Sequence, residues 1–193
     1  ILEEKEGDAA EKITEIPHGF DLSVFESPAP ELVGSLKFKY NPQGRQPVIG
    51  VIARMVEWKG HHYIVPAFKS LLKEYPNALL LLANAKGPDA QSIINFIESE
   101  LPEDRYCLIP FEDDIGALYK LMDIYVHVPI DPHIEAFGMT YVEALSAGIP
   151  SVFTLSGVAN EFITHEEQAL VVPYENSDAI LEAMQRLLND DEL

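Results

Sequence analysis

Cysteine occurs once in these 193 residues, at Cys107. No disulfide framework or thiolate metal cage can therefore form within the chain, and the expected setting is a reducing one, the cytoplasm. No apolar run approaches the length that spans a bilayer. The opening Ile1-Leu2-Glu3-Glu4-Lys5-Glu6 lacks both an initiator Met and the charged-then-apolar layout of a signal peptide. The expectation is a piece of a longer chain with no membrane contact of its own. Cations are scarce too: 13 Lys plus Arg stand against 32 Asp plus Glu, a formal charge of −19. Such a surface repels nucleic acid and anionic lipid. It does not exclude a phosphorylated small molecule, because two placed cations and a helix N-terminus make a local positive site on an acidic protein.

What is present is a core. Hydrophobic residues make up 47% of the chain, enough for one well-buried domain at this length. Six short apolar runs read as strands: Val48 to Ala53, Ala78 to Ala83, Tyr106 to Ile109, Ile124 to Val128, Pro150 to Phe153 and Ala169 to Val172. Each is nearly continuous in apolar residues, as buried parallel strands are. Helical stretches lie between and after them: His62 to Tyr75, Asp89 to Leu101, Asp114 to Met122, Thr140 to Ala147 and Ser177 to Leu188. Asp89 reads as a helix start, Ser177 as a cap, and Gly148 with Pro150 as a stop. The alternation predicts an α/β fold, a Rossmann-like parallel sheet with helices on both faces. Residues 1–45, with an acidic start and then Pro17, Gly19, Pro28, Pro30, Pro42 and Gly44, read as a linker with turns that wraps onto a domain spanning 46–193.

In open parallel sheets ligands bind beyond the carboxyl ends of the strands. The loop after the first strand, Arg54-Met55-Val56-Glu57-Trp58-Lys59-Gly60, carries two cations. Surface cations are usually solvated, but in so acidic a chain, at that edge, these two fit a phosphate. The loop after the fourth strand contains Glu135-Ala136-Phe137-Gly138 and runs into a helix carrying Glu143. Gly138 lets backbone approach a ligand, the following amides favour a phosphate or polarised hydroxyl, and the two carboxylates suit sugar hydroxyls. His133 reads as merely exposed, Trp58 as surface packing, and the adjacent His61 and His62 as structural, since neighbours do not share a helix face as metal ligands do. A dinucleotide-dependent enzyme is disfavoured because no Gly-x-Gly-x-x-Gly fingerprint follows the first strand.

The sixteen residues from Glu135 to Pro150, EAFGMTYVEALSAGIP, with Glu135 and Glu143 separated by seven residues, resemble the GT-B glycosyltransferases of family four, the group one retaining enzymes. The likeness extends to Gly50-Val51-Ile52-Ala53-Arg54, to Lys59-Gly60, and to Ile16-Pro17-His18-Gly19-Phe20-Asp21 with Phe25, which is similar to the family's interdomain segment. The resemblance implies the C-terminal, donor-binding half of such an enzyme, with the N-terminal acceptor domain elsewhere. It implies that Arg54 and Lys59 hold the diphosphate of a nucleoside diphosphate sugar. Glu143 would bind the ribose; Glu135, the implied catalytic residue, would hold the sugar together with Phe137, Gly138 and Met139. Pro110, beside Phe111, is implied at the base edge. No Asp-x-Asp triplet occurs, in keeping with a family that uses side-chain cations where other transferases use a metal, so no metal or other cofactor is expected.

The implied reaction is retaining transfer of a glycosyl group to an acceptor (glycan, lipid or small molecule) by the complete protein, this piece being inactive alone. The rival reading is a non-catalytic nucleotide-sugar-binding module. Three departures from the family pattern stand out: His18 where Asn is usual, Ala83-Asn84-Ala85-Lys86-Gly87 where a Gly-x-Gly turn is common, and Ser156-Gly157-Val158-Ala159-Asn160-Glu161, which keeps one Gly of a usual pair.

Overall fold

A computed structural model describes Thr14 and residues 19–190. The Ile16-Pro17-His18 part of the expected interdomain segment lies outside the described residues. Among the described residues the fold is a six-stranded parallel sheet of order β3-β2-β1-β4-β5-β6. Its strands are β1 (Val48–Ile52), β2 (Leu79–Ala83), β3 (Tyr106–Ile109), β4 (Ile124–His127), β5 (Ser151–Phe153) and β6 (Leu170–Val171). The helices are α1 (Ser23–Glu26), α2 (Pro30–Tyr40), α3 (His61–Leu71), α4 (Ala90–Glu100), α5 (Ile115–Tyr119), α6 (Met139–Ala147) and α7 (Ser177–Asn189).

The strands are apolar at nearly every position, His127 and Ser151 being the buried polar exceptions, because both faces are covered. Successive residues alternate between two cores, as the two-residue period of a strand requires. Ile49, Val51, Leu80, Leu82, Ile124 and Val126 face the core shared with α3, α4 and α7. Val48, Ile52, Leu79, Leu81 and Tyr125 face the core shared with α5 and α6. The order reverses between β1 and β4, paired at Ile49↔Ile124 and Gly50↔Tyr125, so the crevice beyond these two strands is the topological switch point where ligands bind in such sheets.

Residues 23–40, read as turns, are two helices. Pro30 starts α2 in the first turn, where its missing N–H is no loss. Only Leu36 of α2 is buried, and Phe38 is 81% exposed, so the apolar stripe that betrays a helix is nearly absent. At α7 the cap is Asn176 rather than Ser177: its side chain accepts from the Ala179 amide at 2.9 Å. Asp89 occupies the cap position of α4, but its carboxylate accepts from the Glu57 amide at 3.1 Å instead. No helix among the described residues is long and apolar enough to cross a membrane.

Candidate functional site

The loop leaving β1 is pinned by alternation. Met55 is fully buried, its amide bonded to Lys86 O at 2.9 Å, which turns Arg54 outward to solvent. A 3-10 turn, Glu57–Lys59, then ends at Gly60 with φ +77. A Cβ on Gly60 would lie 2.1 Å from Val128 O, so only glycine lets this loop press against the end of β4. Ile130 completes the seam by donating to Trp58 O at 3.1 Å.

That seam brings Lys59 to Glu135. Lys59 Nζ and Glu135 Oε1 form an ion pair, with the two side chains only 14% and 13% exposed. His127, at the end of β4 and 2% exposed, places Nε2 3.3 Å from the same oxygen without completing a hydrogen bond there or with any other described atom. Burial pushes the Glu135 carboxyl up, but His127 and Lys59 pull it down harder, to about 2. Glu135 is an anion at neutral pH. Its amide donates to Ser156 Oγ at 3.0 Å, and Gly157, at φ +65, lies so close that a Cβ would meet Glu135 O at 2.6 Å. Loops after β1, β4 and β5 thus converge on one residue, the first two strands' ends at its carboxylate and the last at its backbone.

Glu143 sits farther along α6, on the wall of a cavity of about 290 Å³ that Ile52, Asn84, Lys86, Phe111 and Thr140 also line. Tyr119 donates to Glu143 Oε2 at 3.0 Å; burial nonetheless raises the Glu143 carboxyl above its ordinary range. Pro110, the residue implied at the base edge, is exposed and outside this lining, whereas its neighbour Phe111 lines it, with Lys86 Nζ 4.9 Å above its ring. Asn84, standing where a glycine is common, adopts φ 58, a conformation Asn tolerates better than most residues. A larger cavity of about 390 Å³ between α1, α2 and α5 is lined by Val24, Phe25 and Leu32 with Asp113 and Asp114. It holds no cation and does not suit a phosphate.

Gly138 starts α6 at φ +75, leaving the Met139 and Thr140 amides without helical acceptors, while the Tyr141 amide donates back to Gly138 O at 3.0 Å. Phe137 packs 5.3 Å from the Phe20 ring and 6.5 Å from the Phe162 ring; Met139 is 54% exposed. His133 is exposed. His61 is buried, with Nε2 3.2 Å from Arg54 O, and the His62 ring packs tilted against Phe96, centroids 4.6 Å apart. Among the described residues Arg54 has no ion-pair partner. Sequence reasoning missed His127 and Tyr119. The one signal for His127 was a polar residue closing an otherwise apolar strand; Tyr119 gave none, being one more aromatic in a helix.

A family model described as glycosyl transferases group 1 matches residues 34–193. Alpha-monoglucosyldiacylglycerol synthase of Acholeplasma laidlawii is 28% identical over 156 residues, covering 79% of this chain and 38% of its own length. Mannosylfructose-phosphate synthase of Agrobacterium fabrum is 26% identical over 188 residues, covering 92% and 40%. The chain therefore spans less than half the length of these curated relatives. Among solved structures, Anabaena HepE in complex with UDP and glucose superposes with a TM-score of 0.80 at 24% identity, over 95% of this chain and 49% of that one. The C-terminal domain of a group 1 glycosyl transferase from Francisella tularensis superposes at 0.72 with 22% identity, over 90% of each.

Proposed function

The chain belongs to the group 1 glycosyl transferases, and from that premise we propose that it is the donor-binding half of a retaining enzyme that takes a nucleoside diphosphate sugar. The observation that carries this reading is the meeting of Lys59, Glu135 and the start of α6 at the switch point, with Arg54 free at the same rim. Arg54, Lys59 and the α6 amides meet the diphosphate charge, which grows as the glycosyl bond breaks. Glu135 accepts from sugar hydroxyls, while the Gly138 and Met139 amides donate to sugar oxygens. Glu143, steadied by Tyr119, accepts from the ribose, and Phe111 flanks the base. The solved relative that binds UDP and glucose supports a donor of this class.

In this reading the acceptor contacts come from an N-terminal half, the relatives being more than twice as long as the matched region. The chain alone binds donor and transfers nothing, and diphosphate charge is met without a metal. Arg54 is the clean probe, since removing it strands no partner, whereas Lys59→Ala would leave Glu135 unpaired. Arg54→Ala weakens UDP binding by about 1.5–3 kcal/mol, the size of a charged hydrogen bond, with wild-type affinity unchanged by EDTA. Calorimetry giving equal affinity for wild type and Arg54→Ala removes the diphosphate role. In the complete enzyme, Glu135→Gln lowers turnover far more than nucleotide affinity.

A further inference from the structure

The Lys59–Glu135 ion pair occupies the place a donor must enter. Lys59 cannot serve the diphosphate fully while it neutralises Glu135, and Glu135 cannot accept fully from a sugar while Lys59 covers it. Beneath them His127 holds a ring nitrogen with no completed hydrogen bond, 3.3 Å from the shared oxygen. Resting on the donor-site reading above, we infer that this pair is a latch: the diphosphate draws Lys59 off, and His127 takes a proton from solvent to hold the carboxylate left behind.

The charged and titratable groups around His127 are few. Lys59 approaches from the turn after β1, Glu135 from the loop after β4, and His61 from the start of α3. Tyr125 stacks at 6.3 Å on the same strand, and Tyr141 of α6 meets the ring edge-on at 4.7 Å. Burial first, and then Lys59, keep His127 neutral in the free protein, against the opposing pull of Glu135. Drawing Lys59 toward two new negative charges removes one disfavouring influence and adds a favouring one. The ring then binds a proton more tightly with donor bound than without. By linkage, donor affinity is highest at low pH and falls as pH rises through the bound-state value.

The test is calorimetry of this chain with UDP-glucose and with GDP-mannose, whose diphosphates do not titrate near neutrality, in buffers of different ionisation heat. Binding takes up part of a proton, and affinity drops with pH by up to about tenfold per unit, the limit for one proton. His127→Gln binds with no uptake; should it fail to fold, Glu135→Gln, which removes the acceptor, serves in its place with the same expectation. Binding whose heat is equal in every buffer overturns the latch alone, as does uptake that persists in the variants. Absence of binding to either sugar nucleotide overturns the donor-site reading and the latch with it.

Discussion

At the scale of single residues, the site is held by atoms with no room to spare. Gly157 has no such room: φ is +65, and a Cβ would meet Glu135 O at 2.6 Å and Ala136 O at 2.8 Å. Gly157→Ala combines left-handed strain with a backbone clash, so it destabilises the fold by about 2 kcal/mol or more in chemical denaturation. A loss below the strain of the φ angle alone would mean that the loop after β4 gives way freely. His61 makes a different kind of demand. Burial lowers its imidazole from 6.5 to about 4, against the opposing hydrogen bond to Arg54 O. Between those values the unfolded chain binds the proton and the folded chain does not, so stability rises with pH across that window and is lost as pH falls from about 6.5 to about 4. The full loss amounts to about 3 kcal/mol. His61→Gln should therefore show a flatter dependence of melting temperature on pH, with His127, lowered in the same direction, accounting for slope that remains.

At the scale of elements, α6 is coupled to the loop after β5 by one phenol. Tyr141 donates to Thr154 O at 2.6 Å and accepts from the Ser156 amide at 3.2 Å, while Ser156 Oγ receives the Glu135 amide. Tyr141→Phe strands a buried carbonyl and a buried amide, costing about 2 kcal/mol. It also loosens Glu135, so UDP-glucose affinity falls along with the melting temperature; a variant that loses stability and keeps affinity would separate the two. Much of this level was legible beforehand. Each of the six apolar runs became a strand, because burial on both faces leaves a nearly unbroken hydrophobic signature, and the helix read as Thr140 to Ala147 carried its own stop in Gly148, beginning one residue earlier at Met139. The start of α4 at Asp89 was legible as well, though not the Glu57 amide that its carboxylate accepts from; at α7 the cap was not, since Asn176 and Ser177 are adjacent polar residues and only the fold shows that Asn176 accepts from the Ala179 amide. Helix α2 escaped because it buries a single leucine. Arg54, Lys59, Glu135 and Glu143 were named from strand-end position and spacing, yet no periodicity could show that Lys59 rests on Glu135 or that His127 lies beneath both. Those contacts join residues 59, 127 and 135, which only the sheet's order brings together.

At the scale of the whole molecule, two electrostatic fields oppose each other. A formal charge of −19 over 193 residues repels itself and disfavours the compact state, while the proposed donor site would use scarce cations to attract an anion. Added salt screens exposed charges beyond about 10 Å at roughly 0.1 M. Raising NaCl from about 20 mM to about 300 mM should therefore raise the melting temperature, because diffuse repulsion between acidic side chains is what screening removes first. The same addition should weaken UDP-glucose binding several-fold, through Arg54 more than Lys59, since Arg54 is exposed and Lys59 is only 14% so. In Arg54→Ala the affinity should lose much of its salt dependence while the melting temperature still climbs. If salt instead lowered both quantities in the wild type, ion pairs such as Lys59–Glu135 would outweigh the surface repulsion, and the acidic surface would not be the term that limits stability.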